Sequence, residues 1–258
     1  MHSRKEILQS VDRLLTIMDE LREQCPWDRK QTNESLRHLT IEETYELADA
    51  ILENNPTEIK NELGDLLLHI FFYAKIGSEQ EAFDLGDVAT SIAEKLIHRH
   101  PHVYGNIDIA DEEEVKQNWE ALKLKEGKKS VFEGVPRSLP SLIKAQRLQD
   151  KAAGVGFDWP DTAGVLAKIQ EEIHELQQAM DQKDTAAVEA EFGDVLFSMI
   201  NYARFLDINP ALALERTNKK FIRRFQWMEQ KVAEKGQHLQ ALDLDQMEEL
   251  WQAAKNQS

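Results

Sequence analysis

The chain has 258 residues, of which 41% are hydrophobic and 30% are charged. This composition is typical of a globular protein with one or two domains. The formal net charge of −16 argues against a protein that wraps a nucleic-acid backbone, because such a surface has to be basic. We therefore expect no nucleic-acid polymer as a partner.

The sequence also predicts a cytoplasmic protein that does not associate with a membrane. Cys25 is the single cysteine, so an intramolecular disulfide is impossible and a reducing compartment is expected. The first residues show no apolar stretch of the kind found in signal peptides. The most apolar run, Leu66 to Ala74, is too short to span a bilayer.

Apolar residues recur at helical spacing in almost every segment, and no convincing strand pattern appears. The spacing predicts helices over residues 7–21, 40–53, 56–77, 87–99 and 112–125 in the first half of the chain. It predicts further helices over residues 139–151, 161–180, 188–206, 210–235 and 243–255 in the second half. Segment 127–138, which contains Gly, Pro and Ser, is the predicted linker between domains 1–126 and 139–258. The chain is therefore predicted to be all-α.

An acidic pattern occurs twice in the chain, and every member is displaced by 129 positions. The first copy consists of Glu43, Glu46, Glu62 and Asp65, and the second consists of Glu172, Glu175, Glu191 and Asp194. Composition alone seldom fills four chosen positions with acids, and the common offset makes chance a poor explanation for both sets. The chain is therefore predicted to contain a duplicated unit.

The spacing of the acids predicts an antiparallel helical hairpin in each copy. Residues three apart lie on one helical face. The acids of the two helices are placed symmetrically about Asn54 in the first copy and about Lys183 in the second. Acids on the two helices thus face each other at the same level along the hairpin axis. Four carboxylates are therefore expected to converge between the two helices.

Converging carboxylates repel one another unless a cation neutralises them. Oxygen ligands are those that Mg²⁺ prefers, with Mn²⁺ as a substitute, so we predict a magnesium site in each copy. Three other interpretations remain open. The acids could form a solvated helical face, or Glu43 could close a capping box with Thr40. The Glu-x-x-His motif at Glu171–His174 could belong to a di-iron site, although Tyr45 replaces the histidine in the first copy.

Gly64 and Gly193 lie inside the predicted acidic helices. Glycine in a helix interior costs about 1 kcal/mol relative to alanine. A residue this unfavourable in both copies predicts that something approaches the helix closely. Substrate and a packed neighbouring helix are equally good interpretations.

Several motifs together resemble the MazG family, whose members are all-α nucleoside triphosphate pyrophosphohydrolases. Besides the two acidic sets, these motifs are CPWD (25–28), HRHPHVY (98–104), VPRSLPSLIKAQRLQ (135–149) and VGFDW (155–159). The resemblance covers essentially the whole chain and is to the bacterial two-copy members. It implies two tandem MazG-like helical-bundle repeats.

The resemblance implies that a homodimer hydrolyses nucleoside and deoxynucleoside triphosphates at the α–β bond, with magnesium, to the monophosphate and pyrophosphate. It also implies nucleotide-pool housekeeping and a link to the stringent response. Glu172 and Glu175 are the expected catalytic residues, and which of them deprotonates the attacking water is left open. The residues expected to bind substrate are Lys168, Glu171, Lys220, Arg223, Arg224, Trp251 and Lys255.

The two copies are not equivalent, because Lys168 corresponds to Leu39 at the offset of 129 positions. We therefore expect the second copy to be the main catalytic unit.

Trp27 and Trp159 lie in CPWD (25–28) and VGFDW (155–159), two segments that interrupt the helical pattern. Both tryptophans are expected to be structural corners rather than groups that stack on a base. The alternative functions are a non-catalytic nucleotide or metal sensor that acts through a protein partner, and a purely structural helical scaffold.

Overall fold

Helices joined by short turns make up most of the structure. The computed structural model describes residues 1–106, Val115 and residues 130–256, and strand is absent from these residues. The chain divides into two units, Met1–Asp108 and Ile109–Ser258. The predicted all-α class is confirmed. The predicted limits 1–126, 127–138 and 139–258 stay a prediction, and the predicted helix 112–125 lies outside the described residues except for Val115.

The helices agree with the periodicity of the sequence. The described helices of the first unit are α1 (Arg4–Gln24), α2 (Asn33–Leu52), α3 (Pro56–Glu79), α4 (Leu85–Arg99) and α5 (Pro101–Tyr104). Those of the second unit are α6 (Ser141–Ala153), α7 (Thr162–Gln182), α8 (Thr185–Phe205), α9 (Pro210–Ala233) and α10 (Leu244–Lys255). Within the described ranges, none of them is both long and apolar enough to cross a bilayer.

Each unit is built around an antiparallel hairpin, formed by α2 and α3 in the first unit and by α7 and α8 in the second. The turns lie where the symmetry of the acids predicts them. Asn54 and Lys183 both adopt the left-handed conformation, with φ of 50° and 56°. Asn55 and Asp184 then cap the returning helices, and each accepts two backbone N–H hydrogen bonds. The turns thus fix the register of both hairpins.

Helix α2 begins seven residues earlier than predicted. Its N-cap is Thr32, whose side chain accepts a backbone hydrogen bond from the first turn. Thr40 lies inside the helix instead, and its hydroxyl hydrogen-bonds with the hydroxyl of Tyr73 at 2.7 Å. The capping-box interpretation of Glu43 is therefore wrong, because a residue in mid-helix has no free backbone N–H to cap.

The core of the first unit is apolar and closely filled. Met18, Leu36, Phe71, Phe72 and Ile76 come from α1, α2 and α3, and none is more than 4% exposed. Burying a side chain of this size stabilises a fold by about 1.5–3 kcal/mol. This core supports the inner face of the hairpin and holds α2 and α3 against α1.

Arginine side chains fix the breaks that precede α2 and α7. In the first unit Arg22 donates hydrogen bonds to the backbone carbonyls of Asp28 at 2.6 Å and Gln31 at 3.1 Å. In the second unit Arg204, on α8, donates two hydrogen bonds to the carboxylate of Asp158, at 2.8 and 2.5 Å. Such bidentate, charge-assisted pairs restrict geometry strongly, so the break before α7 is held against the hairpin.

Candidate active site

Each hairpin brings three glutamates together. One carboxylate oxygen from each of Glu43, Glu46 and Glu62 lies within 4.8 Å of the other two, and the same is true of Glu172, Glu175 and Glu191. In both clusters the first helix of the hairpin supplies two glutamates and the second helix supplies one. The antiparallel register predicted from the sequence therefore produces the predicted meeting of carboxylates.

The two aspartates are not among these groups of three, and their place as metal ligands stays a prediction. An aspartate side chain is one methylene shorter than a glutamate side chain and reaches less far across the gap between the helices. Asp65 is still near enough to act electrostatically on Glu43 and Glu62. Asp194 lies on the wall of a cavity beside the second cluster.

The first cluster is electrostatically unfavourable without a cation. Desolvation raises the pKa values of Glu43 and Glu62, and the negative charges of the neighbouring carboxylates raise them further. Glu62 Oε2 is buried and has no hydrogen-bond partner among the described residues. A buried carboxylate oxygen without a partner is costly, and a bound cation would satisfy it.

In the second cluster a lysine neutralises part of the charge. Lys168 Nζ lies 2.8 Å from Glu172 Oε1 and 2.9 Å from Glu171 Oε1. The hydrogen bonds to Glu172 and then to Glu171 raise the pKa of Lys168. The pKa of Glu175 is also raised, first by desolvation and then by the charges of Glu172 and Glu191.

The donor set of both clusters fits Mg²⁺. Three carboxylates from two helices leave coordination positions for water and for phosphate oxygens around an octahedral ion. Among the residues that the structure describes, neither cluster includes a cysteine or a histidine, which are the usual ligands of zinc. The di-iron interpretation is not supported, because His174 Nε2 is 2.8 Å from the amide nitrogen of Gln178 and does not join the cluster.

A cavity of about 800 Å³ adjoins the second cluster. Lys168, Glu172 and Asp194 lie on its wall, and much of the remaining lining is apolar, including Phe157 and Trp159 from the break before α7. The volume falls within the range of about 300–1,000 Å³ found for small-molecule sites. The combination of a charged wall and an apolar interior suits a ligand with one anionic part and one flat, apolar part.

Core residues fill the corresponding space in the first unit. Val165, Lys168 and Asn201 line the cavity, and their counterparts at the offset of 129 positions are Leu36, Leu39 and Phe72. Leu36 and Phe72 are 1% and 2% exposed, and Leu39 packs against the core that contains them. The first unit thus keeps the acidic cluster and has core side chains at the positions that line the cavity in the second unit.

The other residues expected to bind substrate lie on α9 and α10, and they are not part of the wall of this cavity. Arg224 lies over Trp251, with 5.9 Å between the guanidinium carbon and the ring centroid. Lys220 and Arg223 are exposed on α9, and Lys255 is exposed on α10. Their role in substrate binding stays a prediction.

Several residues of the cavity wall lie outside the acidic motifs and were missed in the sequence. They are Phe132, Gln149, Ser198, Asn201 and Arg204. A signal was present for Asn201, where an asparagine replaces the Phe72 of the first copy. A polar residue in place of a core phenylalanine indicates a changed environment.

Gly64 and Gly193 face open space. A Cβ atom built at either position meets no atom of the described chain within 4 Å. Tight packing against another helix of the described chain therefore does not explain the two glycines. Close approach of substrate to Gly193 stays a prediction.

A model of the MazG nucleotide pyrophosphohydrolase domain matches residues 31–104 and 162–228. The matched segments contain both acidic clusters and the hairpins that carry them. The chain belongs to the MazG family. The resemblance inferred from the sequence is thereby confirmed, together with the hydrolase class and the two tandem MazG-like helical repeats.

Named relatives align with most of this MazG chain. The nucleoside triphosphate pyrophosphohydrolase of Escherichia coli strain K12 is 41% identical over 259 aligned residues, which cover 97% of this chain and 98% of the relative. The nucleoside triphosphate pyrophosphohydrolase/pyrophosphatase MazG of Thermotoga maritima is 45% identical over 249 residues, with 95% of each chain covered. The nucleoside triphosphate pyrophosphohydrolase of Mycobacterium tuberculosis is 39% identical over 146 residues, or 55% of this chain and 45% of the relative.

Replacing Gly64 and Gly193 by alanine distinguishes an effect on helix stability from an effect on the approach of substrate. Alanine favours a helix by about 1 kcal/mol over glycine, so Gly64→Ala and Gly193→Ala should both raise the free energy of unfolding in chemical denaturation. Only Gly193→Ala should lower nucleotide turnover, on the order of tenfold, because a methyl group would displace the substrate. Unchanged turnover in Gly193→Ala would show that the substrate does not approach α8 at this point.

Magnesium is expected to stabilise the protein more near neutral pH than at about pH 5. Carboxylates whose pKa is raised by folding cost stability as the pH rises from the ordinary value of 4.5 through the raised value, since ionisation is then harder in the folded chain. A bound cation removes that cost. Melting temperatures measured with and without Mg²⁺ at both pH values test this, and the double variant Glu62→Gln/Glu191→Gln should lose most of the effect. A shift that is independent of pH and of these glutamates would contradict a specific site.

Proposed function

We propose that the protein is a magnesium-dependent nucleoside triphosphate pyrophosphohydrolase whose main catalytic centre is in the second unit. It cleaves nucleoside and deoxynucleoside triphosphates between the α- and β-phosphates and releases the monophosphate and pyrophosphate. The names of the full-length relatives support the activity. The observation that carries the choice of unit is the cavity wall, which combines Lys168, Glu172 and Asp194 beside a large apolar space.

The residues of the second cluster divide the chemical work between them. Glu172, Glu175 and Glu191 would hold the cation, and Asp194, on the cavity wall, would be a further ligand. Bound magnesium would neutralise phosphate oxygens and make a water acidic enough to attack the α-phosphorus. Glu172 or Glu175 accepts the proton that the water loses. Helices hold both residues, so their carboxylates are positioned before substrate arrives.

Lys168 supplies a positive charge for the triphosphate. Its ammonium group bridges Glu171 and Glu172 and lies on the cavity wall. An ammonium group has three donors, so it can hold these carboxylates and also donate to a phosphate oxygen. In the first unit Leu39 occupies the same position of the repeat, and that copy has no charge to offer there. This difference supports weak or absent turnover in the first unit.

Exposed apolar side chains on both hairpins support a homodimer. Leu63, Leu67 and Ile70 are exposed on α3, and their counterparts Phe192, Leu196 and Met199 are exposed on α8. Residues at this spacing form one apolar stripe of a helix. Large apolar stripes of soluble proteins usually mark a contact with another molecule, and a second copy of the chain offers the same surface in return.

The cellular role that we propose is the removal of unwanted nucleoside triphosphates in the cytoplasm, with an influence on the stringent response. The reaction consumes triphosphates and makes monophosphates, which supports pool housekeeping. The single cysteine supports a reducing compartment.

Product analysis tests the proposed reaction. Purified protein is incubated with each nucleoside triphosphate, with and without Mg²⁺, and the products are separated by ion-exchange chromatography. We expect monophosphate and pyrophosphate, and only in the presence of the metal. Diphosphate with orthophosphate would contradict cleavage at the α–β bond, and binding without turnover would favour the sensor function.

Matched substitutions in the two clusters test which unit performs catalysis. Glu172→Gln removes a ligand of the second cluster and should lower turnover by about 10²–10⁴-fold. Glu43→Gln changes the equivalent residue of the first cluster and should retain most of the turnover. Initial rates of pyrophosphate release give both values, and circular dichroism checks that both variants fold. Equal losses in the two variants would contradict the assignment of catalysis to the second unit.

A further inference from the structure

We infer that Lys168 acts as a built-in counter-ion of the second cluster, so that this cluster binds a divalent cation well only together with the triphosphate. The first cluster has no lysine at the equivalent position and binds a cation without nucleotide. This inference rests on the proposed function and adds to it the order in which metal and substrate reach the two units. It depends on the charges that lie beside each set of glutamates.

The ammonium group of Lys168 is already at the second cluster. Its Nζ lies 2.8 Å from Glu172 Oε1 and 2.9 Å from Glu171 Oε1, which are the distances of charge-assisted hydrogen bonds. Glu172 is 6% exposed, and charges are screened less at a buried position than at the surface. A divalent cation that takes Glu172 as a ligand therefore meets the positive charge of the ammonium group at short range.

The first cluster has a leucine where the second has this lysine. Leu39 takes the place of Lys168 in the repeat and packs against the apolar core. Desolvation, and after it the charges of other carboxylates, raise the pKa values of Glu43 and Glu62. Glu62 Oε2 is buried without a hydrogen-bond partner among the described residues. A cation would remove both costs, and it meets no ammonium group at position 39.

The charge of Lys168 also reaches a second glutamate of its cluster. Desolvation and the charges of Glu172 and Glu191 raise the pKa of Glu175, and the charge of Lys168 opposes that rise. The lysine thus stabilises the ionised form of the cluster in the absence of metal. In the first cluster that stabilisation has to come from a bound cation.

A triphosphate changes this balance at the second cluster. Lys168, Glu172 and Asp194 share the cavity wall, so phosphate oxygens held there lie near the ammonium group and near the carboxylates. Their negative charge attracts both the ammonium group and a metal ion, and it compensates the repulsion between these two cations. Because coupling between two ligands is reciprocal, the metal in turn favours the triphosphate. The catalytic unit thus takes up its metal with the substrate, whereas the first unit holds a metal in its absence.

Binding of Mn²⁺ alone tests the inference without any reaction. Equilibrium dialysis gives the dissociation constants for the wild-type protein and for Lys168→Leu and Leu39→Lys, which exchange the two residues between the units. Glu62→Gln and Glu191→Gln identify the cluster to which each bound ion belongs. Lys231→Leu is the matched control, because it removes an equal charge from a lysine that pairs with a glutamate outside both clusters.

Without nucleotide, we expect the wild-type chain to bind a tight Mn²⁺ ion that is lost in Glu62→Gln. The ion that is lost in Glu191→Gln should bind more weakly, by on the order of tenfold. Lys168→Leu should remove most of this difference by tightening the weaker ion, and Leu39→Lys should weaken the tighter one. Lys231→Leu should change neither. Circular dichroism verifies that the variants fold, and Lys168→Leu decides the question if Leu39→Lys does not.

The same dialysis is repeated, at equal free Mn²⁺, with a nucleoside triphosphate that has a methylene group in place of the α–β bridging oxygen. This analogue should tighten the weaker ion of the wild-type protein and have little effect on the tighter one. Equal affinities of the two wild-type clusters, or a weaker ion that Lys168→Leu does not tighten, would overturn the inference and leave the proposed reaction intact. A wild-type protein that binds Mn²⁺ as expected but cleaves no triphosphate would instead overturn the proposed function.

Discussion

Repulsion between carboxylates across a helical hairpin is the constraint on which the rest of the structure depends. Three glutamates meet within 4.8 Å in each unit, and they are held there by rigid helices and capped turns rather than by attraction for one another. Such an arrangement stores unfavourable electrostatic energy until a cation binds. The carboxylates of each cluster therefore lower the stability of the fold, and the proposed Mg²⁺ would remove that cost.

The two units differ in the side chains that lie beside the acidic cluster. In the first, Leu36 and Phe72 extend the hydrophobic core up to the hairpin, which favours stability. In the second, Val165 and Asn201 leave a cavity at the same place, and Lys168 adds a positive charge beside the acids. Under the proposed function, duplication allows one copy to stabilise the chain while the other keeps space for a substrate.

The hairpins could be predicted from the sequence because their determinants are local. Acids placed symmetrically about Asn54 and Lys183 fix a register, and the structure has turns at both residues. The start of α2 could not be predicted as well, since Thr32 and Thr40 offer the same chemistry and only packing decides between them. The cavity was also missed, because Gln149 and Trp159 reach it from segments far from the acids, and sequence spacing does not report contacts of that kind.

The most direct test of the account is a crystal structure with Mn²⁺ and a nucleoside triphosphate whose α–β bridging oxygen is replaced by methylene. Anomalous scattering locates the metal, and the uncleaved analogue shows the position of the base. We predict manganese at the glutamates of both units, and nucleotide in the second unit alone. Nucleotide bound equally in both units, or manganese bound away from the glutamates, would contradict it.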